Sequence, residues 1–142
     1  MRKKIPVLFH FLRPCTLSNR EGLKKFILSI FKKEKRVLEK LDIIFCDDEY
    51  LLGLNRQFLQ HDFYTDILSF PLSVANQPLI AEIYISVDRV RENALNTGAS
   101  FKEELHRVIF HGVLHFCGYK DKSNADKKTM RLMEEKYLKA YF

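Results

Sequence analysis

The chain of 142 residues has little cysteine, no long apolar run and no repetition, and each absence narrows what it can be. Its three cysteines, Cys15, Cys46 and Cys117, are odd in number and form no CxxC pair. That argues against a disulfide framework and fits the reducing cytosol. No apolar stretch approaches the roughly 20 residues needed to cross a bilayer. The opening segment MRKKIPVLFHFLRPC has a basic flank like that of a signal peptide. Its apolar part is only about seven residues long, is interrupted by His10 and lacks a small-residue cleavage site. We read it as a strand behind a basic start and expect a cytoplasmic protein that does not enter membranes. No repeat, low-complexity segment or linker divides the chain, so residues 1–142 should form one domain.

What is present suits such a domain. The apolar fraction of 46% is enough for a core, and the mean hydropathy of -0.21 fits a globular chain in water. Twenty-four basic against 18 acidic side chains leave a net charge of +6. A surplus of that sign suggests a polyanionic partner, most often nucleic acid. The plainer reading is a solvated surface rich in lysine.

Hydrophobic spacing and punctuation give the elements. Ile5–Phe11 reads as a strand, broken by Pro14. Ser18 with Glu21 has the pattern of a capping box. A helix follows to about Lys33, with Leu23, Phe26, Ile27 and Ile30 on one face. Lys24, Lys25, Lys32 and Lys33 lie on its other face and, with Lys35, Arg36 and Lys40, form a basic stripe. Leu41–Cys46 reads as a second strand, and Asp47 or Asp48 can cap a helix over Glu49–Leu59. Tyr64–Phe70 reads as a strand ended by Pro71. Leu79–Ser86 reads as another, with Ile80, Ile83 and Ile85 as its apolar set. Ser86 opens a helix to about Asn96, which Gly98 stops. Ser100 with Glu103 begins a helix over Phe101–Cys117, and Ser123 caps the last, Asn124–Tyr141. The order β-α-β-α-β-β-α-α-α predicts an α+β fold: a small four-stranded mixed sheet packed with five helices.

The segment that carries chemistry is His111-Gly-Val-Leu-His115-Phe-Cys-Gly-Tyr-Lys-Asp121. Its helix is apolar nearly all round, with Val108, Ile109, Phe110, Val113, Leu114 and Phe116, as expected of a central, buried helix. His111 and His115 are four apart and project from one face, so one metal ion can bridge them. Gly118 is a left-handed helix stop, after which Tyr119 can fold back against Leu114. The turn can return Asp121 as a third ligand. Three protein ligands and one open position make the pattern of a catalytic zinc site. The alternative is that both histidines are core residues, each with one hydrogen-bond partner. Cys117 is a stray ligand candidate, or a small core residue. Gly112 stands where zinc peptidases carry their glutamate base, and the lack of bulk there would let a large substrate approach.

These residues resemble the signature of the YbeY family, bacterial metal-dependent endoribonucleases of rRNA maturation. His111, Gly112, Leu114, His115, Gly118 and Tyr119 match it, as do Leu54-Asn55 and the run Thr65–Pro71 (TDILSFP). The strand segment Ala81–Ser86 (AEIYIS) is similar to another family stretch. The resemblance implies single-strand-specific cleavage of RNA in rRNA maturation, at small-subunit rRNA ends, and in ribosome quality control. It also implies one Zn²⁺ per chain, with RNA and the ribosome or its small subunit as partners.

Four departures matter. Asp121 stands at the family's third metal histidine and Lys120 at the aspartate before it. A carboxylate is a competent zinc ligand whose harder oxygens make Mn²⁺ an alternative. Leu59 replaces an arginine thought to assist cleavage, and Arg56, one turn earlier, is the candidate substitute. Glu82 replaces an aspartate. Lys120 and Lys122 beside the metal, with Lys24, Lys25, Lys32 and Lys33, are candidates for RNA phosphates. Thr65, Asp66 and Ser69 shape the site or organise the strand, and for Asp66 the structural role is the expectation. No general base is evident. Two other functions stay open: a ribosome-assembly factor that binds RNA without cutting, with a structural zinc, and a peptidase or small-molecule hydrolase, which Gly112 disfavours.

Overall fold

The computed structural model describes residues 4–142, so Arg2 and Lys3 of the basic start lie outside the described residues. The elements are β1 (Val7–Phe11), α1 (Arg20–Lys33), β2 (Leu38–Cys46), α2 (Asp48–Leu59), β3 (Ile67–Pro71), β4 (Leu79–Ser86), α3 (Val87–Thr97), α4 (Phe101–Phe116) and α5 (Asn124–Tyr141). The four strands form one mixed sheet in the order β1-β2-β4-β3. β1, β2 and β4 run parallel, and β3 pairs antiparallel to β4 at the edge. This is the expected α+β architecture with the expected element order.

Where bounds differ, local chemistry explains why. The first helix is capped by Asn19, whose side chain accepts from the Gly22 amide at 3.3 Å, so the Ser18–Glu21 capping box does not form. Asn19 sits at φ 52, a left-handed conformation that asparagine tolerates better than serine. β3 starts at Ile67 rather than Tyr64 and includes Pro71, which an edge strand accommodates because its missing N–H faces no neighbour. In β4 the buried set is Leu79, Ala81, Ile83 and Ile85. Ile80 points to the opposite face, as the two-residue alternation of a strand requires. Ser86, Ser100 and Ser123 cap α3, α4 and α5 as expected, the last with a reciprocal capping box to Asp126.

The main core lies between one face of the sheet and α1, α3, α4 and α5. A smaller cluster of Cys46, Leu51 and Leu68 lies under α2 on the other face. Helix α4 is the centre of the main core: Leu105, Val108, Ile109, Phe110, Val113 and Leu114 are all buried. Gly112 is buried too. A Cβ there would stand 2.8 Å from Ile67 Cδ1 and 3.0 Å from Ile83 Cδ1. The residue is therefore glycine because the helix lies directly on β3 and β4. It leaves room for the sheet, which corrects the expectation that it leaves room for a substrate.

At this position Gly112→Ala should change stability by no more than about 1 kcal/mol, because better helix propensity offsets the displacement of two flexible isoleucine tips. Gly112→Val should cost about 1–3 kcal/mol through overpacking. Urea unfolding checks both: the midpoint falls for valine with the slope unchanged.

Candidate active site

The last two turns of α4 and the turn after it build the site. Arg107, His111 and His115 recur at intervals of four and so form one stripe along the helix. The helix then ends in a Schellman motif: the Tyr119 amide donates to the Leu114 carbonyl at 3.2 Å and the Gly118 amide to the His115 carbonyl at 3.2 Å. Gly118 takes φ 103, open to glycine and strained for other residues. Tyr119 folds back onto the core, and its hydroxyl donates to Glu34 Oε1 at 2.7 Å. That bond ties the turn to the end of α1 and sends the chain back past the helix face.

The return brings Asp121 to His111, with Oδ2 3.5 Å from Nε2. The other ring nitrogen, Nδ1, lies 2.7 Å from Glu134 Oε2 on α5. A cavity of about 170 Å³ opens here, lined by Asp66, Glu104, Arg107, Val108, His111, Asp121 and Glu134. Arg107 faces Glu104, Glu134 and Glu135 at 3.6, 3.5 and 2.6 Å. The cavity is thus an acidic hollow in a basic protein.

Its electrostatics follow from partial burial. Burial raises the Asp66 carboxyl above its ordinary value; the charge of His111 opposes this, and Glu134 and Asp121 add to it. Burial likewise raises Glu104, opposed by Arg107. Burial alone would lower His111, but its hydrogen bond to Glu134 and the charges of Glu134, Asp121 and Asp66 outweigh that and raise it. Burial and neighbouring carboxylates thus both work against negative charge at this place, while the same carboxylates favour the charged form of His111. A bound cation would offset that negative charge.

The donor set suits a metal in chemistry and, for two of its members, in spacing. Two ligand atoms each about 2.0 Å from a tetrahedral zinc lie about 3.3 Å apart. The His111–Asp121 separation of 3.5 Å is close to that. His115 stands one turn further on the same stripe, exposed to solvent. Among the described residues no three potential ligands are already gathered around one point. Cys117 packs against the core, and burial pushes its thiol up to about 12, a poor state for a ligand that must lose its proton.

The other candidates separate clearly. Arg56 is exposed, pairs with Asp62 and does not line the cavity. Leu59 is exposed as well. Asp66 does both of the things considered for it: its carbonyl accepts from the Ser86 amide at 2.9 Å, and its side chain lines the cavity. Ser69 sits within β3, and the Thr65 hydroxyl reaches only the Ile67 carbonyl at 3.4 Å. Lys120 and Lys122 flank Asp121 and are exposed. The residues that the sequence reading missed are Arg107, Glu104 and Glu134. Two of them left a signal: Arg107 precedes His111 by four residues, and Glu134 is a charged residue on the buried stripe Met130, Glu134, Tyr137, Leu138 of α5.

With this geometry in place, comparison with known proteins is informative. Residues 16–142 match the family model described as endoribonuclease YbeY. The chain is 46% identical over 119 residues to "Endoribonuclease YbeY" of Cytophaga hutchinsonii, covering 84% of this chain and 83% of that one. It is 42% identical over 127 residues to the protein of that name from Flavobacterium johnsoniae, covering 89% and 91%. It also resembles a solution structure of a Thermotoga maritima protein, with a TM-score of 0.66 and 31% identity over 94% of this chain and 88% of the other.

The raised Asp66 carboxyl has a consequence for pH dependence in the metal-free protein. A folded-state value above the unfolded one contributes stability that is fully present below the unfolded value and is lost as pH rises through the folded one. Asp66→Asn keeps the shape without the charge. It should raise the denaturation midpoint of the metal-free protein near neutral pH and leave it nearly unchanged below about pH 3.9, the ordinary aspartate value. Equal effects at both pH values would show that burial does not bear on this carboxyl.

Proposed function

The chain belongs to the YbeY endoribonuclease family, and from that premise we propose that it is a zinc-dependent endoribonuclease that cleaves single-stranded RNA during rRNA maturation. The proposed substrate is small-subunit rRNA, trimmed at its ends, with a part in ribosome quality control, so its partners are RNA and the ribosome or its small subunit. Such work takes place in the cytoplasm. Among the described residues no helix is long and apolar enough to cross a membrane.

The observation that carries the reading is the pairing of His111 Nε2 with Asp121 Oδ2 at the mouth of an acidic cavity on a conspicuously basic chain. His111, His115 and Asp121 would hold the ion, one per chain, with Mn²⁺ the alternative that a carboxylate ligand favours. When bound, the ion supplies a Lewis acid for a phosphoryl oxygen and acidifies a water molecule to near pKa 7. The rest is done by the protein's own groups. Asp66, whose carboxyl burial raises, lines the cavity and is the candidate to take a proton there. Gly112 lets α4 lie close on Ile67 and Ile83 next to the cavity.

Substrate holding falls to the lysines. The Tyr119–Glu34 hydrogen bond brings the end of α1, with Lys32, Lys33, Lys35 and Arg36, beside the turn that carries Lys120 and Lys122. Two basic segments thus lie side by side at the end of α4. Phosphates of a single strand could run along them, which would leave one phosphodiester at the mouth of the cavity.

Two measurements test this together. Elemental analysis should find about one zinc per chain in the wild type, and the ion should be lost or greatly weakened in Asp121→Ala and His111→Ala. Cleavage of single-stranded RNA should fall to the blank in the same variants, and wild-type RNA binding should weaken steeply with salt. Undiminished cleavage by His111→Ala, His115→Ala and Asp121→Ala would reject the mechanism.

A further inference from the structure

Glu134 is the most deeply buried carboxylate of the cavity, at 6% exposed. It lies on α5, opposite the histidine stripe of α4. Its two oxygens are divided between two partners: Oε2 lies 2.7 Å from His111 Nδ1 and Oε1 lies 3.5 Å from Arg107 Nη1. Arg107 is held in turn by Glu135, 2.6 Å from Nη2. The chain Glu135–Arg107–Glu134–His111 is therefore a continuous set of charged contacts that ends on one imidazole nitrogen.

The direction of the last contact matters. An ionised carboxylate only accepts hydrogen bonds, so in the neutral ring Nδ1 must carry the proton and donate it to Glu134. The lone pair then sits on Nε2, the nitrogen that faces Asp121. In water a neutral histidine prefers the opposite tautomer. Arg107 supplies the positive charge that makes an ionised carboxylate tolerable at this depth. A simple structural ion pair between α4 and α5 would need Arg107 and Glu134 alone; it would not need the second oxygen aimed at a ring nitrogen.

We infer that Glu134, braced by Arg107, is a positioning residue that locks His111 into the Nδ1–H tautomer and turns its Nε2 toward Asp121. The inference rests on the metal reading above only for what Nε2 then meets. Carboxylates that orient metal-binding histidines in this way commonly change metal affinity 10–100-fold when removed.

The test uses the full chain, metal-free and then titrated with zinc alone. Nitrogen-15 NMR of the histidine rings at alkaline pH, where the rings are neutral, reports the His111 tautomer directly. Competition with a chromophoric chelator gives zinc affinity. The variants are Glu134→Met, which removes the acceptor, Glu134→Gln, whose amide oxygen can still accept from Nδ1–H, and Arg107→Met/Glu134→Met, which removes the buried pair together in case the single charge left behind prevents folding.

In the wild type His111 should be the Nδ1–H tautomer. Glu134→Met, or the double variant, should shift it toward Nε2–H and weaken zinc about 10–100-fold, with Glu134→Gln recovering part of both. A wild-type ring in the Nε2–H form would overturn the inference. So would a tautomer and zinc affinity unchanged in folded Glu134→Met or the double variant, which would leave Glu134 as a structural ion pair. A wild type that binds no zinc but shows the tautomer shift would sink the metal reading and uphold the positioning role.

Discussion

The depth at which α4 lies on the sheet governs the rest of the structure. A helix flanked by side chains normally stands off a sheet by the thickness of two layers of side chains. Here Gly112 removes one of them, and the tips of Ile67 and Ile83 reach the helix backbone. His111 is the residue before that glycine, so it is drawn down to the level of the sheet edge. Asp66, the residue before Ile67, is brought to the same level by β3. A bulkier residue at 112, such as valine, would lift the helix and separate those two side chains. The close contact therefore sets both packing and the assembly of groups from parts of the chain 45 residues apart.

Charge is sorted around that contact with a clear logic. Burying several carboxylates together is costly, and the rise in the Asp66 and Glu104 values expresses that cost. Arg107 offsets part of it through its contacts with Glu104, Glu134 and Glu135. The remainder is an unbalanced negative field at the mouth of the cavity, where His111 and Asp121 meet. A site that must hold a small cation needs such a field. A site that must hold RNA needs the opposite one. Under the proposed function the two requirements would be separated in space: acidic groups line the cavity, and lysines of α1 and of the turn after α4 stay in solvent.

Much of this was legible in the sequence because it is local. Serine caps, Gly98 and Gly118 as helix stops, the apolar surround of α4 and the four-residue histidine spacing depend on neighbours within one or two turns. The fold back of Tyr119 onto Leu114 was legible for the same reason. What was not legible depends on other elements. Glu134 reaches His111 across 23 positions and a helix–helix interface, and nothing near His111 announces it. Gly112 was given to the substrate because its neighbours in sequence are two histidine turns; its neighbours in space are two isoleucines from β3 and β4. Arg56 was a candidate by helical spacing from Leu59, yet that face of α2 looks into solvent, where Asp62 takes the guanidinium. Spacing along one helix predicts which side chains share a face. It does not say what the face meets.

Asp121 shows how these levels combine. A histidine at the third ligand position would bring a neutral donor to the cavity. An aspartate brings another negative charge to a cluster that already holds Asp66, Glu104 and Glu134. In the metal-free protein that charge opposes ionisation of Asp66 and favours the charged form of His111. Against a divalent cation the same charge is attractive, so the substitution widens the difference between the empty and the loaded states. The neighbouring Lys120 and Lys122 are exposed, as Asp121 itself is, and stand on either side of it in the chain. Under the proposed function the acidic third ligand and the basic residues beside it would therefore act on different things: one would draw an ion inward, and the others would draw the phosphate backbone to the rim.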